Sequence, residues 1–468
     1  MASPAFCDKT TAFLHWFRAL PGATFSDSIE IVDVRSRNAG RGIVATRDIP
    51  ADATLFTIPR GAIVNTDTST LRSQLPHLFE SQGDGDDEQG LDSWSALILV
   101  LMYEYLMGPF SAWKPYLDVL PDAFDTPMFW SDRELHELQA SPLRSRIGKA
   151  DAEDMFRSKL LPIIRSRPDV FLSSDNLSDE HLVHLAHGMG STVMAYAFDL
   201  ENEDQDDDDD NADGWAEDRD AKSMMGMVPM ADMLNADAEF NAHVNHGDEN
   251  LTVTSLRQIR AGDEILNYYG PHPNSELLRR YGYVTANHSR YDVVEIPWAT
   301  VEGAVAAQLN ISRDALQEVR NRVDDDEWED SFVLEREAGE PNADGTLPGP
   351  AVLNDMPAEL QDQLKVLLKA LQKIDDRLVQ DKRGRQEALQ LIMARSVLAI
   401  ESQYPTTMAE DELLLQRKDV GRRNIMAVQV RLGEKKLLEE AKALLSDSSA
   451  DAMVDNESMP FKRRRRGD

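Results

Sequence analysis

The segment from Met227 to Tyr283 sets the tightest limit on how this chain can fold. Asp232, Asn235, the adjacent Tyr268 and Tyr269, and Tyr281 fall there in short turns between apolar runs. Polar side chains held next to a core need partners, so such a segment is expected to build a site rather than plain core. It also reads as only half of that site. The other half is expected almost two hundred residues upstream.

That upstream half is IEIVDVRSRNAGRGIVATRDIPADATLFTIPRGAIVN, residues 29–65. Its β-branched residues alternate, and Asn38-Ala39-Gly40 and Pro50-Ala51-Asp52 are turn signals, which predicts a run of short strands. Gly40 and Gly42 flank Arg41 in a tight loop, where glycine lets backbone approach a ligand. A plain hairpin turn would use the same residues. A dinucleotide fingerprint is excluded, because no third glycine follows and a strand, not a helix, comes next.

Between the halves the pattern is helical. Residues 11–20 predict a short amphipathic helix through Phe13, Trp16, Phe17 and Leu20. LDSWSALILVLMYEYLMG predicts another, with Trp94, Leu97, Ile98, Leu101 and Tyr105 on one face and a stop at Gly108-Pro109. The helical block runs to about residue 198. His181, His184 and His187 lie within it, but the third is turned about 120° from the first on a helix, so no metal site is expected. Asp199 to Asp213 is nearly continuous acid and predicts a solvated, disordered loop, or a lure for a basic substrate.

After Tyr283 the character changes. Leu360, Leu364, Leu367, Leu371, Ile374 and Leu378 recur at helical spacing, and two further helical runs follow. A separate all-helical domain over residues 297–446 is expected, interrupted by a Gly/Pro-rich loop from Pro341 to Pro350. Its leucine stripes are core or, in part, a peptide groove. Residues 447–468 form a basic tail, expected to be disordered, whose Lys462–Arg466 cluster reads as a nuclear localisation signal.

At 468 residues the chain is long enough for two domains. Its 83 acids against 49 bases give a net charge of −34. That charge argues against direct nucleic-acid binding and against anionic membranes, and it favours a basic partner or simply solubility. Cys7 is the sole cysteine, so no internal disulfide or cysteine-based zinc cluster can form, which suits a reducing compartment. No signal peptide is evident, and the longest apolar run, Ala96–Met102, falls short of the roughly 20 residues a membrane span needs.

Several of these pieces resemble one family. NAGRGIVATRDIPADATLFTIPRGAIV is similar to the opening of a SET domain, VPMADMLNAD to its asparagine segment, and GDEILNYYG to its closing tyrosine segment. SELLRRYGYV resembles an element of the Rubisco-methyltransferase-like branch, and DSWSALILVLMYE, WKPYLDVLP and PMFW resemble that branch's helical insert. The NAD after MLN and the MAYAFDLE before the acidic stretch resemble members that methylate ribosomal lysines.

The resemblance implies a mixed α+β fold. A SET domain at 20–290 would carry a helical insert at about 91–198 and an acidic loop at about 199–222, followed by a helical substrate-binding domain. It implies an S-adenosyl-L-methionine-dependent protein-lysine N-methyltransferase. Beside it, the charge and the basic tail lead to the expectation of a monomer in the nucleus, or in nucleus and cytoplasm, acting on a basic ribosomal protein or, as the alternative, on a non-ribosomal nuclear one. Tyr269 corresponds to the catalytic tyrosine, although the hydroxyl of Tyr268 could also face the channel. Ala39, Gly40, Arg41 and Gly42 correspond to the loop at the cofactor's methionine end. Asn235 and Ala236 match the pair binding its adenosine portion, with Asp232 supporting that turn. Tyr196 and Tyr281 match positions lining the cofactor and lysine sites, and Trp94 a substrate-side aromatic. Ala236 departs from the family pattern, which has histidine there. A SET-like module that binds basic peptides without catalysis is the rival expectation.

Overall fold

The computed structural model describes residues 4–37, 39–79, 90–200, 224–321 and 328–457, with side chains to Ser446. The acidic run beyond Leu200 and the basic cluster Lys462–Arg466 lie outside them. Helix α1 (Pro4–Ala19) begins seven residues earlier than its periodicity suggests, and it buries Phe13 and Phe17. Four strands follow: β1 (Thr24–Phe25), β2 (Ile29–Asp33), β3 (Arg41–Ala45) and β4 (Thr54–Pro59).

Helix α2 (Ser93–Met107) shows how local chemistry sets an element. The Asp92 carboxylate accepts the Ser95 N–H at 2.7 Å as N-cap, and Gly108 ends the helix in a positive-φ conformation before Pro109. Its apolar residues are not confined to one face. Leu97 through Met102 are all buried, so α2 is a central helix surrounded by packing, while Tyr105 stands exposed. Ser93–Phe110 is apolar and long enough to resemble a membrane span, yet most of it is enclosed by protein. The rest of the insert consists of short helical turns, including Lys114–Leu117, and then α3 (Asp179–Tyr196), capped by Ser178. Within α3, His187 packs edge-on against Phe156 while His181 bonds its own cap, Ser178. No group of three metal-ligating side chains occurs among the described residues.

From Tyr196 the chain enters β5 (Ala197–Asp199), paired with β6 (Met225–Met227), and then β7 (Asn235–Ala236), β8 (Ala242–His246), β9 (Asn250–Ser255) and β10 (Leu266–Asn267). The largest sheet has the order β1-β4-β9-β8, so β4 pairs with a strand about two hundred residues away. β7 and β10 pair in parallel, with Asn235 opposite Leu266 and Ala236 opposite Asn267. α1, both strand groups, α2 and α3 share one hydrophobic core. The insert is therefore part of the domain's foundation.

Helix α4 (Asn274–Tyr281) leads to β11 (Val294–Pro297) and α5 (Trp298–Leu309), then β12 (Ser331–Leu334), α6 (Ala358–Ile374), α7 (Lys382–Glu401) and α8 (Arg422–Glu457). The C-terminal region is not all-helical, because β12 pairs antiparallel with β11. Helix α6 stops at Ile374, and Leu378 falls in the turn beyond it.

Nor does this region stand apart. It has its own core, but the start of α8 buries Met426, Ala427 and Val430 against Trp130, Leu138, Leu143 and Leu278 of the N-terminal region. Arg431 on α8 ion-pairs with buried Asp411 at 2.7 Å and also donates to the Glu137 carbonyl. The Pro341–Pro350 loop reaches back too, where the Gly345 carbonyl accepts the Phe240 N–H at 3.0 Å. Polar closure at such a seam makes the two regions one packed unit.

Candidate active site

The site begins with a strained turn. Met230 has φ +83°, rare for a side chain of its size and worth about 1–3 kcal/mol of local strain. The turn delivers buried Asp232 and then Asn235. The Asn235 amide donates from Nδ2 to the Arg41 carbonyl at 3.1 Å and to Glu264 Oε1 at 2.6 Å. Glu264 in turn pairs with Arg37 at 2.9 Å. Residues 37, 41, 235 and 264 thus form one clamp joining the two halves expected from the sequence.

Gly42 sits inside that clamp. A Cβ there would lie 2.6 Å from Glu264 Oε1 and 3.0 Å from Asn235 Nδ2, so only glycine leaves room for the close approach. The Gly40–Gly42 segment therefore does more than turn a hairpin.

Beside the clamp is a cavity of about 510 Å³. Gly40, Arg41, Tyr196, Asp232, Met233 and Asn235 form one wall; Phe6 and Lys9 of α1, and Asp118 to Ala123 of the insert, form another. Ala39 precedes this wall and Ala236 follows it, held through backbone pairing to β10. The Arg41 guanidinium donates to Thr10 Oγ1 and to the Val119 carbonyl, both at 2.9 Å, and lies 4.0 Å from the Phe6 ring centroid. It is a strut between α1 and the insert. Phe6 and Lys9 were not legible as site residues, since nothing in α1 but an amphipathic pattern marks it; Arg35, in the turn after β2, was missed as well.

Behind the wall formed by Asp232, Met233 and Asn235 lies a tyrosine cluster, of which Tyr196 alone lines the cavity. Tyr269 stacks on Tyr281 with centroids 4.8 Å apart, and its hydroxyl donates to the Leu234 carbonyl at 2.8 Å. Tyr281 lies 6.0 Å from Tyr283, whose hydroxyl reaches the Ala236 carbonyl at 3.5 Å. Gly282, at φ +76°, closes α4 and turns the chain between these two rings. Tyr268 points elsewhere, stacking on Phe240 at 4.7 Å and reaching Tyr291. Adjacent residues on extended backbone face opposite ways, so only Tyr269 of the pair joins the cluster.

Burial pushes the hydroxyls of Tyr196 and Tyr281 up to about 12, and those of Tyr269 and Tyr283 well above their usual range. All four stay neutral near pH 7. They can donate or accept hydrogen bonds, but they cannot serve as anionic bases.

Of the expected residues, Gly40, Arg41, Tyr196, Asp232 and Asn235 line the cavity, while Ala39, Gly42, Ala236, Tyr269 and Tyr281 stand behind or beside that lining. Trp94 lies in the first turn of α2 and packs on the main core beside Ser95, which bonds Met155; it is not among the residues lining the cavity. Conversely, Tyr116 was missed as a site residue. Its hydroxyl donates to Asp232 Oδ2 at 2.5 Å from the short helix Lys114–Leu117. The only signal was its place within WKPYLDVLP.

The model of the SET domain family matches residues 40–270, and that of the Rubisco LSMT substrate-binding family matches residues 350–438. The chain is 33% identical over 297 residues to ribosomal lysine N-methyltransferase 4 of Saccharomyces cerevisiae; the match spans 62% of this chain and 58% of the yeast protein. It is 29% identical over 466 residues to N-lysine methyltransferase setd6 of Salmo salar, covering 92% of this chain and 96% of the relative. Among solved structures, Rubisco LSMT bound to sinefungin and monomethyllysine superposes with a TM-score of 0.64 at 18% identity, covering 99% of this chain and 98% of that one.

Proposed function

The chain belongs to the SET-domain family, with a Rubisco LSMT-type substrate-binding region, and we infer that it is an S-adenosylmethionine-dependent protein-lysine N-methyltransferase. The observation that carries this reading is the position of Tyr269. Its buried hydroxyl bonds the carbonyl of Leu234, which lies between the cavity-lining residues Met233 and Asn235.

The cavity fits the cofactor. Its volume is in the range of small-molecule sites, and its lining offers both cations and carboxylates to a zwitterionic amino-acid end. When bound, S-adenosylmethionine supplies a methyl group on a sulfonium, already activated for transfer. The clamp of Asn235, Glu264 and Gly42 would hold the adenosine side, with the Ala39–Gly42 segment beside the methionine end. The aromatic walls of Tyr196, Tyr269 and Tyr281 would exclude water from the target lysine. Such desolvation disfavours the ammonium and favours the neutral amine that can attack. The Tyr269 hydroxyl, neutral and fixed, would orient that amine toward the methyl. Positioning of this kind lowers a barrier without acid–base chemistry by the tyrosine.

The substrate in this reading is a basic, ribosomal protein. The net charge of −34 supports it, because an acidic surface draws cationic chains into encounter, and so does the similarity to the yeast relative. A nuclear location belongs to the same reading and rests on Lys462–Arg466.

Labelled cofactor incubated with purified ribosomal proteins tests it. Wild type is expected to label a basic protein, and Tyr269→Phe to label roughly a hundredfold more slowly while still binding cofactor in calorimetry. Equal labelling by both would remove Tyr269 from the reaction. Cofactor binding with no lysine labelled in any extract would leave a peptide-binding module instead.

A further inference from the structure

Tyr116 of the insert and Asp232 of the Met230 turn form a buried tyrosine–carboxylate pair beside the cavity, and its geometry is unfinished. Tyr116 is fully buried, and its hydroxyl holds Asp232 Oδ2 at 2.5 Å. Asp232 is 92% buried by its 8% exposure, and it lines the cavity beside Met233 and Asn235. Its other oxygen, Oδ1, has no hydrogen-bond partner. A buried carboxylate oxygen without a partner is costly, and natural sites keep one only where something else completes it.

We propose that Asp232, oriented by Tyr116, is a receptor for a primary ammonium group, which Oδ1 accepts at the junction of the cofactor cavity and the tyrosine cluster. The inference rests on the methyltransferase reading and deepens it. The groups facing this carboxylate are the hydroxyls of Tyr116, Tyr196 and Tyr269, from the insert, α3 and the segment after β10. All are neutral, and no lysine, arginine or histidine pairs with it among the described residues. Burial pushes its carboxyl up to about 7, and hydrogen bonds from Tyr116 and from the backbone at Met230 and Asp232 pull it back down. A cation at Oδ1 is therefore the missing partner in both charge and hydrogen bonding. The strained Met230 turn that presents Asp232 is consistent with a binding role.

Two ammonium groups reach such a junction in this reaction: the α-ammonium of the cofactor and the ε-ammonium of the target lysine. If the second is the occupant, Oδ1 can also take its proton. The N–H bond then breaks toward the carboxylate, and the nitrogen keeps the lone pair it needs for attack. The two sources are separable by binding alone.

Wild type, Asp232→Asn and Tyr116→Phe are titrated calorimetrically with S-adenosylmethionine and with its analogue lacking the α-amino group. Methyl transfer to a lysine peptide is measured alongside, with KM and kcat resolved. A cofactor-ammonium site predicts that Asp232→Asn weakens the natural cofactor roughly ten- to hundredfold and leaves the deaminated analogue unchanged. A lysine-ammonium site predicts equal cofactor affinity in both proteins, with transfer to peptide falling by a similar factor.

Tyr116→Phe keeps the carboxylate but frees its orientation, and it is expected to shift the same parameter several-fold. It serves as the deciding variant if Asp232→Asn melts early. Unchanged cofactor affinity together with unchanged transfer in the variants overturns the proposal while leaving the methyltransferase reading intact. A wild type that binds no cofactor overturns both.

Discussion

Gly42→Ala probes the clamp at its tightest point. The new Cβ would stand 2.6 Å from Glu264 Oε1, 3.0 Å from Asn235 Nδ2 and 3.2 Å from Val34 Cγ2, all inside normal contact. Glu264 is the most movable of these, but its carboxylate is held by Arg37 on one side and Asn235 on the other. Overpacking of this kind costs about 1–3 kcal/mol, which for a packed unit of this size lowers Tm by roughly 1 °C per kcal/mol. Releasing the 2.6 Å bond from Asn235 to Glu264 adds a local cost of about 1–2 kcal/mol to holding the asparagine in place.

Cofactor affinity should therefore fall roughly five- to thirtyfold, beyond what the modest stability change explains. Thermal melting and calorimetry with S-adenosylmethionine read the two terms separately. Gly61→Ala, whose Cβ meets nothing within 4 Å, is the matched control. In an Glu264→Ala background the added methyl has room, so the effect of Gly42→Ala should shrink by about half or more. A Gly42→Ala protein with unaltered cofactor affinity would refute the idea that this clamp shapes the binding wall.

Three further outcomes are expected. Gly282→Ala forces a side chain into a φ of +76° with its Cβ 3.0 Å from the backbone of Asp125 and Thr126; it should cost more than about 1 kcal/mol in denaturant melts and lower turnover by displacing Tyr281 and Tyr283. Asp411→Ala leaves Arg431 and Lys435 buried without their shared counter-charge, and it should destabilise the chain by about 3–5 kcal/mol in urea titrations. Glu434, hydrogen-bonded by Ser141 and Tyr404, has its carboxyl pushed up to about 8, chiefly by burial. A raised acid binds its proton more tightly when folded, so its stabilising effect is complete below the unfolded value of 4.5 and is lost as pH rises toward 8. Melting temperature should fall with pH above roughly 6.5, where ordinary histidines no longer interfere, and Glu434→Gln should flatten that slope.

Local chemistry is what the sequence by itself determined. Gly108-Pro109 ends α2, the leucine spacing marks α6, and the segments around Asn235 and Tyr269 carry the family's pattern. Each signal depends on neighbours a few residues apart, which periodicity, capping and motif comparison detect. The tertiary structure decided which of those residues meet. It alone buried α2 on every side and turned Tyr269 inward and Tyr268 away. It kept Trp94 out of the cavity lining and bound α8 into the N-terminal region. Asn235 reaches Arg41 across 194 positions, and Tyr116 reaches Asp232 across 116. Such contacts leave no local periodicity in the chain, because what makes them favourable is a shared enclosure that exists only after folding.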